Sequence, residues 1–261
     1  MLRLEHVRHE TMRIPIEIRG TAPDPLLFLP GMGVHPRHYV SGLERLARHY
    51  TVIAPDLSFG SHPRLPSEYA GYLACVDAVA ARFAPDAPRV GHSLGGLLAL
   101  QGDRPAVALS PLIPLPLDWL RQFWRAVRLQ LREYAGTEGL RGVRWAMAML
   151  ANYAGMVLTA PEKLFPALSC THSPVTPDFH PRAPAMRLVL GRFDQLYRAP
   201  EYGHFVERVG VPADAVRWLP HGHDWPVTRP DLMEAEVLSA LRNGKPATAA
   251  APPLNSGTAR G

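Results

Sequence analysis

The sequence predicts an α/β fold in which a mostly parallel central sheet carries helices on both faces, and three observations predict it. Short apolar runs recur along the chain and stop abruptly at glycine or proline turns. Between them stand stretches whose apolar residues are spaced three and four apart, as on one buried helical face. The length of 261 residues suits one large α/β domain around a single core.

The elements follow in order. Residues 2–7 and 12–18 open the chain as extended segments, the second alternating Ile14, Ile16 and Ile18 like a half-buried strand, and they predict a leading hairpin. The apolar run 26–29 ends at Pro30-Gly31-Met32-Gly33 and is followed by a helix predicted over 40–49. A second run, 51–54, stops at Pro55-Asp56, and 58–63 has loop chemistry. Tyr72, Val76, Val79 and Phe83 then mark a helix over 69–83. Arg89-Val90 enters a sharp turn over 91–96, which leads to a short helix at 97–101 and a strand at 106–109. Strands alternating with helices imply parallel pairing.

The alternation stops after Ser110, where Pro111, Pro114 and Pro116 break any regular element. Asp118 is placed to cap a helix whose apolar side is Leu120, Phe123, Trp124, Val127, Leu131 and Tyr134. Arg121, Arg125, Arg128 and Arg132 run down another side, the pattern of a solvated face. Helical pieces at 143–158 and 161–168 precede a proline-rich linker at 173–184. The sheet resumes with a strand at 186–190, a helix at 201–209, a strand at 215–219 and a helix at 230–241. The organisation expected is a core domain of residues 1–111 and 184–243, a helical insertion at 112–183, and a disordered tail at 244–261.

Composition narrows the function classes. The formal charge of +5 comes almost wholly from scattered arginines, the only lysines being Lys163 and Lys245, so no nucleic-acid partner is expected. Cys75 and Cys170 stand alone without CxxC spacing, which predicts no disulfide framework and a reduced setting. Arg3, Glu5, His6, Arg8 and Glu10 interrupt the first residues, so no secretory signal is expected there and a cytoplasmic location is. The longest apolar stretch, 145–160, is too short for a hydrocarbon core that needs about 20 residues, so no stable membrane insertion is expected.

Gly91-His92-Ser93-Leu94-Gly95 satisfies G-x-S-x-G, with an apolar strand before it and a helix after it. In that context Ser93 occupies a tight turn that presents its hydroxyl. A serine hydroxyl is a poor nucleophile at neutral pH and demands a base in reach and a carboxylate to orient the base. Asp194 lies just beyond one strand and His223 in the loop after the next, so parallel strands bring both to the edge that carries Ser93. Asp118 and His221 are the rival acid and base.

On these residues the chain, from about Leu2 to Leu241, resembles the capped α/β-hydrolase superfamily. Leu29-Pro30-Gly31-Met32-Gly33 is similar to its oxyanion loop, with proline where many relatives have histidine. The segment from Ala54 to Ser61 is similar to its A-P-D-L-x-G-x-G-x-S strand end, and Gly222-His223 to its terminal Gly-His. Residues 97–105 are shorter than the usual helix there. The resemblance implies an α/β-hydrolase fold with 112–183 as a helical cap, and a Ser93, Asp194, His223 triad. It also implies an oxyanion hole of the Met32 and Leu94 N–H groups, and cleavage of a small, apolar carboxylic ester or related acyl compound. Relatives with the same triad act as thioesterases, lactonases, C–C hydrolases, cofactor-free haloperoxidases or acyltransferases, and a non-catalytic binding member is the alternative of another class.

Gly31, His92, Trp119, Phe123, Trp124, Trp145 and Met149 are the candidate pocket residues, His92 being expected to pack or hydrogen-bond and not to act as a base. Asp224 reads as loop polarity. The partner expected is a small-molecule acyl substrate. No metal site and no cofactor are expected, since no second ligand cluster accompanies His221-Gly222-His223 and no phosphate-binding glycine pattern occurs.

Overall fold

A computed structural model of the chain describes residues 1–9, 12–58, 69–113, 140, 143–145, 147–148, 151 and 181–242. Eight strands form one sheet: β1 (Leu2–His9), β2 (Met12–Arg19), β3 (Pro25–Leu29), β4 (Thr51–Pro55), β5 (Arg89–His92), β6 (Ala106–Leu109), β7 (Met186–Gly191) and β8 (Val216–Leu219). Their spatial order is β1-β2-β4-β3-β5-β6-β7-β8. The leading hairpin pairs antiparallel, as does β2 with β4, and every later pairing is parallel. Parallel pairing requires each return to cross a face of the sheet, and helices make the crossings.

The described helices are α1 (Val40–Leu46), α2 (Tyr69–Phe83), α3 (Leu94–Leu100), α4 (Ala199–Val209), α5 (Trp225–Thr228) and α6 (Pro230–Arg242), with 3-10 turns at Pro36–Tyr39 and Ala213–Ala215. The two-residue period of the strands sorts the core. Leu27 and Leu29 join Ile53, Ala108, Leu188 and Leu190 against Val76 and Val79 of α2, Leu97 of α3, and Tyr202 and Phe205 of α4. Leu26 and Phe28 point the other way, with Val52, Val90, Val107 and Val189, onto Leu43 and Leu46 of α1, Trp225 of α5, and Met233 and Val237 of α6. A sheet covered on both faces needs strands that are largely apolar, which is how β3, β4 and β6 read.

Several boundaries differ from the sequence reading: α1 stops at Leu46 instead of 49, α4 starts at Ala199 instead of 201, and two more differ around the turn at 91–96. Strand β5 continues through Gly91 and His92, and α3 starts at Leu94 instead of 97. All seven residues of α3 are buried, so its apolar run has no polar side from which a periodicity could mark its start. The short return after α3 accommodates Arg89. Its buried guanidinium pairs with Asp77 at 3.0 Å and Asp103 at 3.4 Å, and a methyl group added at Gly102 would lie 2.6 Å from that side chain.

Leu112 and Ile113 are still buried in the first core cluster, and Trp145 belongs to the second. The arginine stripe, residues 173–180 of the proline-rich linker and the tail at 244–261 lie outside the described residues, whereas Ala183, near the linker's end, is buried in the first core cluster. Among the described residues no helix is long and apolar enough to cross a membrane.

Candidate active site

The C-terminal ends of the parallel strands gather the site, as the topology of open α/β sheets leads one to expect. Ser93 turns the chain from β5 into α3 with φ 53° and ψ −117°. A non-glycine residue there carries strain on the order of 1–3 kcal/mol, so the surroundings must enforce it. Glycine allows the close approach that does so: a methyl group at Gly91 would strike the Gly95 carbonyl, and one at Gly95 the Leu29 carbonyl. The Ser93 N–H donates to the Leu109 carbonyl at 3.1 Å, and its own carbonyl accepts from Leu97 (3.1 Å) and Leu112 (2.9 Å).

Asp194 follows β7 at the same edge, 4 % exposed. Its Oδ1 accepts the N–H groups of Leu196 (2.7 Å) and Tyr197 (2.9 Å). Its Oδ2 accepts the Tyr202 hydroxyl at 2.8 Å and lies 2.7 Å from Nδ1 of His223. A buried carboxylate is costly unless matched in this way. Because a carboxylate has no hydrogen to give, Nδ1 carries the hydrogen of that contact, which leaves Nε2 as the ring atom able to exchange a proton. His223 is the imidazole that reaches Asp194; His221 instead uses its carbonyl to accept from the Phe193 N–H at 3.0 Å.

His92 links the elbow to the pair. Its ring centroid stands 5.1 Å from that of His223, and its Nε2 lies 3.1 Å from the His223 carbonyl oxygen. Its pKa is lowered to about 4, first by burial and then by the neighbouring His223, so near neutral pH it is uncharged. Ser93 thus sits one residue from a ring in contact with the Asp194–His223 pair. The turn after β3 abuts the same place: a methyl group at Gly31 would lie 3.4 Å from Cβ of Ser93 and 3.2 Å from Nδ1 of His92. Met32, next in that turn, is partly buried against the first core cluster, and Leu94 begins α3.

Trp145 donates its Nε1 hydrogen to Oδ2 of Asp224 at 3.0 Å and meets the His38 ring edge-on at 5.1 Å. Asp224 is therefore more than loop polarity. It is buried, ties Trp145 to the histidine loop, and holds Oδ1 3.6 Å from Nε2 of His92. Asp118, Trp119, Phe123, Trp124 and Met149 lie outside the described residues. His92, His223 and Asp224 bring ligand-type atoms within 4.8 Å of one another, although both His92 nitrogens already meet partners in Tyr39 and the His223 carbonyl.

Sequence reasoning missed Tyr202, Tyr39 and the part played by Asp224. Tyr202 shares a helical face with Phe205 and Val209 and so reads as core. For Asp224 a signal existed, its place directly after His223.

The family model described as the alpha/beta hydrolase family matches residues 26–236. None of the curated proteins is significantly similar to this sequence. Among solved structures, a putative lipase from Acinetobacter baumannii AYE aligns with TM-score 0.68 at 14 % identity, covering 92 % of this chain and 91 % of the other. A thermophilic esterase from Thermogutta terrifontis aligns at 0.65 and 16 %, covering 93 % and 98 %. Epoxide hydrolase VrEH1 from Vigna radiata aligns at 0.66 and 13 %, covering 92 % and 98 %. Such identities speak to the fold alone, and neighbours of differing chemistry share it. With its family match spanning most of its length and its eight-stranded sheet in this order, the chain belongs to the alpha/beta hydrolase family.

Proposed function

We propose that this protein is a serine hydrolase that cleaves a carboxylic ester, or a related acyl bond, of a small apolar substrate through an acyl-enzyme. The observation that carries the reading is the buried Asp194–His223 hydrogen bond of 2.7 Å at the edge where Ser93 forms a strained elbow. In this mechanism Nε2 of His223 takes the hydroxyl proton as Oγ of Ser93 bonds to the carbonyl carbon. The N–H groups of Met32 and Leu94 hold the oxyanion, each donor being worth about 2.7–4 kcal/mol. As the tetrahedral adduct collapses, His223 returns the proton to the leaving group. Water, deprotonated by the same imidazole, then adds to the acyl carbon, and Ser93 leaves with its proton restored. A serine at the elbow separates this reading from family members that attack with aspartate.

A fluorophosphonate probe followed by intact-mass measurement tests it. One adduct on the wild-type chain, absent in Ser93→Ala, is the expected result, together with hydrolysis of nitrophenyl esters whose chain-length preference sizes the pocket. A wild-type chain that takes no adduct overturns the reading and favours a binding protein.

A further inference from the structure

We propose that Tyr39 and His92 form a one-way hydrogen-bonded strut that positions the oxyanion turn at Gly31 against the His223 loop. Neither is a catalytic residue; both are positioning residues for the hydrolysis proposed above, and the inference rests on that reading. The order of the hydrogens follows from chemistry. The His223 carbonyl oxygen, 3.1 Å from Nε2 of His92, can only accept, so Nε2 bears the hydrogen. The buried ring is neutral, which leaves Nδ1 as a lone pair. Nδ1 lies 2.6 Å from the Tyr39 hydroxyl, which therefore donates to it. That hydroxyl oxygen accepts in turn from the Gly31 N–H at 3.0 Å. Burial holds the Tyr39 hydroxyl well above its usual titration range, so it keeps its hydrogen.

Every hydrogen in the chain has one place, and the chain joins three loops at the ends of β3, β5 and β8. Each loop bears a member of the proposed machinery: Gly31 precedes Met32, His92 precedes Ser93, and the last carbonyl is that of His223 itself. Tyr39 arrives from the 3-10 turn Pro36–Tyr39 and is wedged edge-on between Phe28, at 5.0 Å, and His92, at 5.8 Å. An apolar pair would fill the same volume without fixing a direction. Buried polar groups matched end to end cost little and restrict the geometries the loops can adopt. Oxyanion donors depend on that restriction, because they act at hydrogen-bond distance from where the charge develops.

Tyr39→Phe removes one hydroxyl and keeps the ring, whereas His92→Leu removes both ring nitrogens. His92→Gln retains one acceptor and one donor. With a nitrophenyl ester at a temperature well below unfolding, Tyr39→Phe and His92→Leu should lower kcat about tenfold or more while KM stays within about twofold, since displaced groups impair the transition state more than substrate binding. Fluorophosphonate titration should still count every molecule as competent. His92→Gln should recover most of the rate lost in His92→Leu, and the double variant Tyr39→Phe/His92→Leu should be no slower than His92→Leu alone. A wild-type kcat in Tyr39→Phe overturns the proposal, as does a His92→Gln variant as slow as His92→Leu. If His92→Leu does not fold, the Tyr39→Phe result decides. Nitrogen NMR of the His92 ring reports on the strut apart from catalysis: a pure Nε2–H tautomer is expected, and an Nδ1–H tautomer overturns it. A wild-type chain that hydrolyses nothing and takes no adduct brings down the hydrolase reading and the positioning role together, even where NMR finds the expected tautomer.

Discussion

Tyr202 directs its hydroxyl hydrogen at Oδ2 of Asp194, 2.8 Å away, the same oxygen that meets His223. The hydroxyl also stands 3.3 Å from the Pro111 carbonyl, just beyond the end of β6. One phenol thus links helix α4, the proposed acid and the segment that follows β6.

Tyr202→Phe should therefore destabilise the protein by about 1.5–3 kcal/mol, the range for a hydrogen bond to a charged group. Urea denaturation measures this directly. An unchanged midpoint would mean that water or a shifted side chain replaces the hydroxyl without loss.

Asp194→Asn keeps the shape of the side chain but alters what it offers Nδ1 of His223. An amide that presents its NH2 there selects the wrong imidazole tautomer, so kcat should fall by about 10⁴ with KM little changed. Fluorophosphonate labelling of Ser93 should slow in parallel. Rates within tenfold of wild type would reassign the acid, and Asp118 would be the next residue to substitute.

Burial of His92 sets a pH dependence of stability. Its folded pKa of about 4 lies below the unfolded value of 6.5, so between those limits the unfolded chain takes up a proton that the native chain refuses. The stability this contributes is present in full above pH 6.5, falls as pH drops through the window, and changes no further below about pH 4. The groups facing the ring are Tyr39, His223, Asp224 and, further off, Asp194. Relative to His92→Gln, wild type should lose about 3 kcal/mol between pH 7 and pH 4. Denaturation curves at several pH values check this; a stability difference that stays constant with pH refutes it.

Two glycine substitutions should act in opposite directions. At Gly95 an added methyl group meets the Leu29 carbonyl, so Gly95→Ala must push the elbow off β3 and should cost at least about 1–3 kcal/mol. Gly203, inside α4, has nothing within 4 Å of the same position, and Gly203→Ala should add about 0.5–1 kcal/mol. Calorimetric melting of both proteins measures the contrast, and a Gly95→Ala protein as stable as wild type would contradict the close packing at the elbow.

Much of this was legible in the linear chain because local pattern and global topology agree. Apolar runs that end in glycine or proline turns marked β3, β4, β7 and β8, alternation marked β2, and the placement of Ser93, Asp194 and His223 at one edge followed from strand ends in a parallel sheet. The start of α3 was not legible, since an apolar stretch buried on every side carries no periodicity. Nor were the partners of the polar side chains: Tyr39 meets His92 across 53 positions of sequence, and Trp145 meets Asp224 across 79. Sequence by itself determined that Ser93, Asp194 and His223 stand at strand ends and which edge of the sheet holds them, because strand direction and side-chain period are local properties. Only the tertiary structure decided which hydrogen bonds orient them, because a polar group removed from water must pair with whatever donor or acceptor the folded chain brings beside it.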